Sequence, residues 1–473
     1  MLIVVFITAT PIFALSGTIT ENTWKEMTFQ PVIELYDRDI MSSYDANMIE
    51  GSNAYVNLRG CTFSPDGKYA FCGFLNGGLP AMYMIKINGG GEVVDTYTHA
   101  DELGNSYIKG IASDDRGYIY AALAYSENYN TADFSVIKVD YEEESMTEIG
   151  YHNIYLNGTP GNTSGQHVGV NGADIVKVGD NYYLYIVVNY DVDRLYKFDV
   201  TDPENPVLIK DFGNENDGYL DFLKAGTTTV STDGNTVSVK EGYYLDCASD
   251  GTIYLGASIT GGSKDYALVK IDPNGNLSTA IELDDAYAVA IYEEFAVVTA
   301  KKPEESNICA TVINHEEERI IKVIDALDYG YQYTYACVQN GILFISNQSQ
   351  AGGASGLEQI LAAPLTTSGE EYLKNLMGKT AYDEDEEETE EATDITIGNE
   401  TNSGNTDVTE SSAESGKNTE KDTESQNETT ANTSGGEKDN QGCKSTAVIP
   451  MAFFVAALAG CTMVARKKKD SVS

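Results

Sequence analysis

The chain has 473 residues, of which 73 are acidic and 30 basic, and its formal net charge is −43. A field of that sign repels phosphate backbones and anionic lipid, so nucleic acid is excluded as a partner while cations, basic partners or plain solubility are favoured. Four histidines and seven cysteines with no CxxC spacing leave little for a structural zinc or haem site.

Leu2 to Phe13 is a short apolar run followed by the small residues Ala14, Ser16 and Gly17. Twelve residues are too few to span a bilayer, so residues 1–16 read as a secretory signal peptide, although no basic residue precedes Lys25. Residues 17–380 form the expected ectodomain. Tyrosine and glycine are abundant there, and apolar stretches of four to eight residues recur between turn signals, which is an all-β pattern. Two strands, TWKEMTF (23–29) and PVIELYD (31–37), come first.

A period follows. An apolar strand, a tight polar turn and an aromatic-rich strand recur as CTFSPDGKYAFCGF, GIASDDRGYIYAAL, DIVKVGDNYYLYIVV, DCASDGTIYLGAS, AVAIYEEFAVVTA and YACVQNGILFIS. Turn positions Asp66, Asp115, Asp180, Asp250, Glu293 and Asn340 are spaced by 49, 65, 70, 43 and 47 residues. A second hairpin follows nearly every copy, giving four strands per unit. Sheets with two apolar faces bury both only by stacking around an axis, so the pattern predicts a six- or seven-bladed β-propeller over a β-sandwich. The sixth unit lacks its second hairpin, which the N-terminal strands could complete, and residues 226–242 could hide a seventh. Within the ectodomain, helix is expected only in LEQILAAP and EEYLKNLMGK.

Cys61 and Cys72 flank Asp66-Gly67 symmetrically and so face each other across a hairpin, either as a disulfide or as two buried thiols. Cys247, Cys309 and Cys337 read as small core residues. In a propeller, the loops before each innermost strand share one face with the loops joining second and third strands. That face collects His99, His152 and His167, with Tyr190, Asp191, Asp193 and Arg194. The histidines, Tyr190 and Arg194 are the candidate ligand-binding groups. Asp191 and Asp193 form a D-x-D pair able to direct two carboxylates at a hard ion such as Ca2+, although the rest of an EF-hand is absent. No GxSxG elbow or phosphate-binding glycine loop occurs, and no catalytic residue is assigned. Asp114-Asp115 and Asp284-Asp285 read as caps of hairpin turns.

Residues 383–442 hold 19 acids, three lysines and few apolar groups, which predicts a disordered Ser/Thr/Asn-rich spacer of charge −16. The chain from 443 onward carries +4, which leaves −31 on residues 1–382. Thr446–Ala465 is an uncharged run long enough for a transmembrane helix, and Arg466-Lys467-Lys468-Lys469 mark residues 466–473 as a cytoplasmic tail. The N-terminal ectodomain is therefore expected outside the cell.

Two stretches carry a resemblance. SPDGKYAFCGF resembles the first hairpin of TolB-like propeller repeats, and RLYKFDVTDPENPVLIKDFG resembles the second hairpin of the LVIVD repeat of bacterial surface proteins. The tail is similar to the membrane anchors of Gram-positive surface proteins. The resemblance implies a propeller at the cell surface and no particular chemistry. The expected function is a monomeric, membrane-tethered binding module for an extracellular protein or glycan. The alternative is an extracellular propeller enzyme, of glycosidase, lyase or lactonase type, with its site in the axial funnel.

Overall fold

The repeat is realised as six antiparallel blades. The first is Leu58–Phe63, Tyr69–Gly77, Met82–Lys86 and Glu92–Tyr97. The second is Asn105–Ser113, Tyr118–Leu123, Ala132–Asp140 and Ser145–Ile154. Val168–Val178, Asn181–Tyr190 and Arg194–Asp199 make the third, with Val207–Leu208 and Tyr219–Asp221 both pairing on its third strand. The fourth is Thr236–Cys247, Ile253–Thr260, Tyr266–Ile271 and Leu277–Leu283. The fifth is Val289–Tyr292, Phe295–Thr299, Ile308–Asn314 and Arg319–Asp325. Gln332–Gln339, Ile342–Gln348 and Gln359–Pro364 make the sixth, whose outer strand is the N-terminal Gln30–Glu34, antiparallel to Gln359–Pro364. Each innermost strand lies against the next and the sixth against the first, so the ring is closed.

This computed structural model describes residues 19–34, 58–77, 82–87, 92–98, 105–123, 132–154, 168–190, 192–214, 218–301, 307–325, 332–348 and 359–377. All lie in the first of two units, Met1–Glu390 and Glu391–Ser473. The signal 1–16, the spacer 383–442, the span 446–465 and the tail 466–473 fall outside the described residues. Among the described residues no helix is long and apolar enough to cross a membrane.

Strand alternation explains the closure. Along the second strand of the third blade, Leu184 and Ile186 join Tyr120 and Phe134 of the second blade, while Tyr185 and Val187 join Leu255 and Val269 of the fourth. The fifth blade repeats the division, with Ala296 and Val298 against the fourth blade and Phe295 and Val297 against the sixth. Further cores join the sixth blade to the first and the first to the second. Each large apolar side chain buried this way contributes roughly 1.5–3 kcal/mol, and no blade offers it a place to hide alone.

The tight turns follow from Gly67 and Gly251, whose φ of 67° and 87° only glycine adopts without strain. The expected strand 23–29 is instead the helix Glu21–Glu26, started by a reciprocal cap between Thr20 and Thr23 and held by Trp24, which is fully buried against Phe295. Of the two stretches expected to be helical, LEQILAAP instead contributes the strand Gln359–Pro364, while the other overlaps the helix Thr367–Met377. Residues 226–242 hold no seventh blade. Thr229–Val230 folds back on the start of the fourth blade's innermost strand, and Ser231 bridges to Ala280 on its outermost strand.

Candidate functional site

The predicted binding face is where the innermost strands begin. His99, His167 and Asp191 lie outside the described residues, as does the side chain of Tyr190, whose backbone ends the strand Asn181–Tyr190 opposite Val168. The other three predicted residues do not point to solvent together. His152 sits on the outermost strand of the second blade with its ring 5.2 Å from that of Phe134. Its buried Nε2 has no hydrogen-bond partner among the described residues, and burial lowers its pKa, favouring the neutral ring.

Asp193 is 5 % exposed and turned inward, where its Oδ1 accepts the Gly242 N–H of the fourth blade at 3.2 Å. Burial, helped by the charges of Glu241 and Asp221, pushes its pKa up to about 8. Arg194 is buried beside it. Its guanidinium lies 4.3 Å from the centre of the Tyr219 ring, and its Nε is 3.5 Å from Asp221 Oδ2. Asp193 is thus committed to an inter-blade contact and Arg194 to its own blade. Among the described residues no group of three or more metal-ligating side chains is arranged around a common point.

A network that the loops did not reveal crosses the same mouth. It begins with close approach of the innermost strands: a Cβ on Gly110 would stand 2.7 Å from Ala173 N, and one on Gly172 2.7 Å from Tyr244 Cα. Across this narrow gap Lys109 donates to Asn171 Oδ1, and Asn171 Nδ2 donates to the Gly242 carbonyl at 2.7 Å. Glu241 is at the centre. Its Oε1 accepts Asn189 Nδ2 of the third blade at 3.3 Å, and its Oε2 accepts the Tyr243 hydroxyl at 2.9 Å and lies 3.6 Å from Lys301 Nζ of the fifth. Lys301 Nζ also sits 3.9 Å from the centre of the Tyr243 ring, while its backbone N–H donates to buried Asp285 at 2.9 Å. Asp285 therefore joins elements and does not cap a hairpin, whereas Asp114 does cap one, accepting the Arg116 and Tyr118 N–H groups. Asn189 is 2 % exposed, and its Oδ1 finds no donor among the described residues. The mouth thus presents a part-exposed carboxylate and ammonium above a buried amide and the buried tyrosine cluster of Tyr243, Tyr244 and Tyr287.

The far halves of the innermost strands enclose a second feature, an axial cavity of about 320 Å3 lined by Thr62, Ser113, Asp174, Asp246, Ile291 and Gln339 among others. Asp174 Oδ2 and Asp246 Oδ1 converge on one N–H, that of Cys247, at 3.0 and 2.7 Å, and Asp246 Oδ2 accepts Ile291 N–H at 2.6 Å. Burial raises the pKa of both, and the neighbouring charge of Asp246 raises Asp174 further, which favours one proton held by the pair.

Cys61 and Cys72 do pair in register, as free, fully buried thiols with sulfurs 3.8 Å apart. Closing that gap to a bonded distance of about 2.05 Å needs only side-chain rotation. Mild oxidation is expected to remove the mass of two hydrogens and to stabilise the first blade by about 2–3 kcal/mol for so short a loop. Peptide mapping with and without reductant reads the outcome, and two alkylatable thiols after oxidation would exclude the bond.

No protein-family model matches the chain, and no curated protein matches it. Among solved structures, the chain is similar to the WD40 β-propeller domain of Doa1, at 11% identity over 67% of this chain and 96% of that one, with a TM-score of 0.38. It is also similar to Sqt1 of Saccharomyces cerevisiae, at 10% identity over 62% and 81% with a TM-score of 0.34. An α-L-arabinofuranosidase from Fusarium graminearum matches at 10% identity over 66% and 98%, with a TM-score of 0.38. The resemblance to LVIVD and TolB-like repeats has no counterpart in these matches; the DPENP stretch is a turn in which Asp202 accepts the Glu204 N–H and the Asn205 amide. What the matches share with this chain is distant likeness to propellers.

Proposed function

We propose that this protein is a binding module displayed outside a cell. The reading has the propeller carried on the spacer 383–442, held by the span 446–465, and taking a protein or glycan ligand at the mouth of the ring as a monomer. The observation that carries it is Glu241, which gathers donors from the third, fourth and fifth blades at the one face where long loops also emerge. Hydroxyl and amide groups of a ligand meet the part-exposed Glu241 carboxylate and Lys301 ammonium there, which the buried Tyr243 and Tyr287 rings support from below. In this reading Ca2+ assists capture through Asp191 and not through Asp193, whose carboxyl is buried against the Gly242 N–H.

The axial Asp174–Asp246 pair favours the second reading, an extracellular enzyme, because two carboxyl groups sharing a proton are an acid and a base in one place. Their convergence on one N–H argues against glycoside hydrolysis, whose two carboxyl groups stand about 5 Å or more apart. Lyase or lactonase chemistry is what that alternative leaves.

The test is binding of the full-length chain, purified in detergent, to arrayed glycans and peptides in Ca2+ and in chelator. Glu241→Ala and Lys301→Ala are each expected to weaken a captured ligand about tenfold or more, as loss of a charge-assisted contact does. Unchanged affinity in both variants removes the mouth as the site. Turnover of a small-substrate panel that disappears in Asp174→Asn replaces the binding module with the enzyme.

A further inference from the structure

A closed ring with no disulfide between its blades among the described residues depends on what ties neighbouring innermost strands together, since these strands abut around the axis and inter-blade strand pairing among those residues is confined to 105–107 of the second blade against 75–77 of the first. Between the first and second blades that strand pairing is joined on the cavity side by a pair of hydroxyls, with Ser113 Oγ donating to the Phe63 carbonyl and meeting Thr62 Oγ1, each at 2.8 Å. Between the third, fourth and fifth blades, where Asn171 reaches the Gly242 carbonyl and the Tyr244 N–H reaches the Tyr287 carbonyl at the mouth, the tie on the cavity side is made of carboxyl groups. Asp174 of the third blade reaches Cys247 N–H of the fourth, and Asp246 of the fourth reaches Ile291 N–H of the fifth. Both aspartates occupy the same place in their hairpins, opposite Tyr185 and Tyr254 of the adjoining strand.

The arrangement works only with a proton. The two carboxyl groups share the Cys247 N–H, so if both were ionised two negative charges would converge on a single donor at the wall of the axial cavity. The surrounding groups offer no relief. The second blade faces the cavity with Asp114 and Asp115, already paired with Arg116 at 2.7 Å and Lys177 at 3.5 Å. The third presents Tyr185 and, beyond the Cys247 thiol, Lys197, whose Nζ donates to the Pro273 carbonyl. The sixth presents Tyr335 and Cys337, and the first Cys61 behind them, all held neutral by burial. The fifth contributes only the apolar Val289 and Ile291 to the lining.

We infer that Asp174 and Asp246 form a proton-operated clamp, which ties the third, fourth and fifth blades at the axis while the shared proton is present and loosens that side of the cavity when it leaves. The sign is fixed by the chemistry. A carboxyl group whose pKa is raised on folding stabilises the fold below its unfolded value, and the contribution is lost as pH rises through the folded one. The clamp is therefore closed in acid and opened by base, opposite to the ordinary carboxylate ion pairs of the surface.

The experiment is hydrogen exchange of the full-length chain in detergent, followed by mass spectrometry on the peptides containing Cys247 and Ile291 and corrected for intrinsic rates. From about pH 5 to about pH 9 the corrected protection of both peptides is expected to fall about tenfold in the wild type. Asp174→Asn puts a permanent donor in place of the shared proton, and protection is expected to stay at its acid level throughout. Asp193→Asn, which removes the other raised carboxyl, is expected to keep the wild-type fall. Protection that does not change with pH in the wild type overturns the clamp, as does a wild-type fall in Asp174→Asn or its loss in Asp193→Asn. Should Asp174→Asn not fold, infrared spectroscopy of the wild type decides: a carboxylic acid carbonyl band persisting at neutral pH and bleaching with the same midpoint as the exchange supports the clamp, and its absence overturns it.

Discussion

Trp24→Ala is expected to destabilise the propeller by about 3–5 kcal/mol, the usual cost of emptying a large buried aromatic site. The side chain is fully buried, 5.5 Å from Phe295 between ring centres, in the core that joins the fifth blade to the sixth. Its Nε1 has no hydrogen-bond partner among the described residues, so the loss is one of packing alone. The consequence exceeds a local cavity because the same segment carries the strand Gln30–Glu34, which completes the sixth blade. Loosening the helix Glu21–Glu26 frees that strand and exposes the edge of Gln359–Pro364. A fall in Tm of about 4–7 °C is expected for a domain of this size. Val323→Ser, on a side chain 44% exposed on the outer edge of the fifth blade, is expected to change stability by no more than about 0.5 kcal/mol. A Trp24→Ala protein that melts with the wild type would mean that the N-terminal segment does not hold the ring shut.

The closing strand was legible because the sixth unit visibly lacked a partner and PVIELYD was the nearest unused apolar stretch. The adjoining TWKEMTF was not, since its apolar spacing fits a strand as readily as one helical turn, and the cap between Thr20 and Thr23 decides it. LEQILAAP has helical propensity throughout, yet it faces the unpaired edge of Ile342–Gln348, and pairing there overrides propensity. The functional groups were sought in loops, where propellers carry most binding residues. Glu241, Asn171, Asp174 and Asp246 instead interrupt the innermost strands. The signal for them was present as single polar residues inside apolar runs, DIVKV and YYLDC, at matching places in successive repeats. What the sequence does not contain is which of two strand faces meets the axis, and that alone separates a turn-capping aspartate from one that faces another blade.

Glu282 gives the second large effect. It is 4% exposed on the outermost strand of the fourth blade, and its two oxygens accept five hydrogen bonds. Oε1 takes the Ser231 hydroxyl at 2.5 Å and Asn235 Nδ2 at 2.8 Å, while Oε2 takes the Ser263 N–H and hydroxyl at 2.6 Å and the Lys264 N–H at 3.0 Å. One carboxylate thereby fastens the extra hairpin 229–237 to the turn after the second strand of the blade. Against the desolvation that opposes it, this set of donors holds the carboxyl down to about 2. Glu282→Ala leaves several buried donors unpaired and is expected to cost about 3 kcal/mol, with exchange of residues 229–237 rising first. Glu282→Gln keeps the shape but turns one acceptor into a donor facing donors, so it is expected to recover less than about half of the loss. A depressed carboxyl stabilises the fold above its unfolded value, and the contribution disappears as pH falls through about 2. Asp193, raised to about 8, has the reverse sign and loses its contribution as pH climbs through that value. Urea unfolding across pH is therefore expected to show an acid limb that flattens in Glu282→Ala and an alkaline limb that flattens in Asp193→Asn. An acid limb identical in the wild type and Glu282→Ala would place the acid sensitivity in other carboxylates and reduce Glu282 to an ordinary surface group.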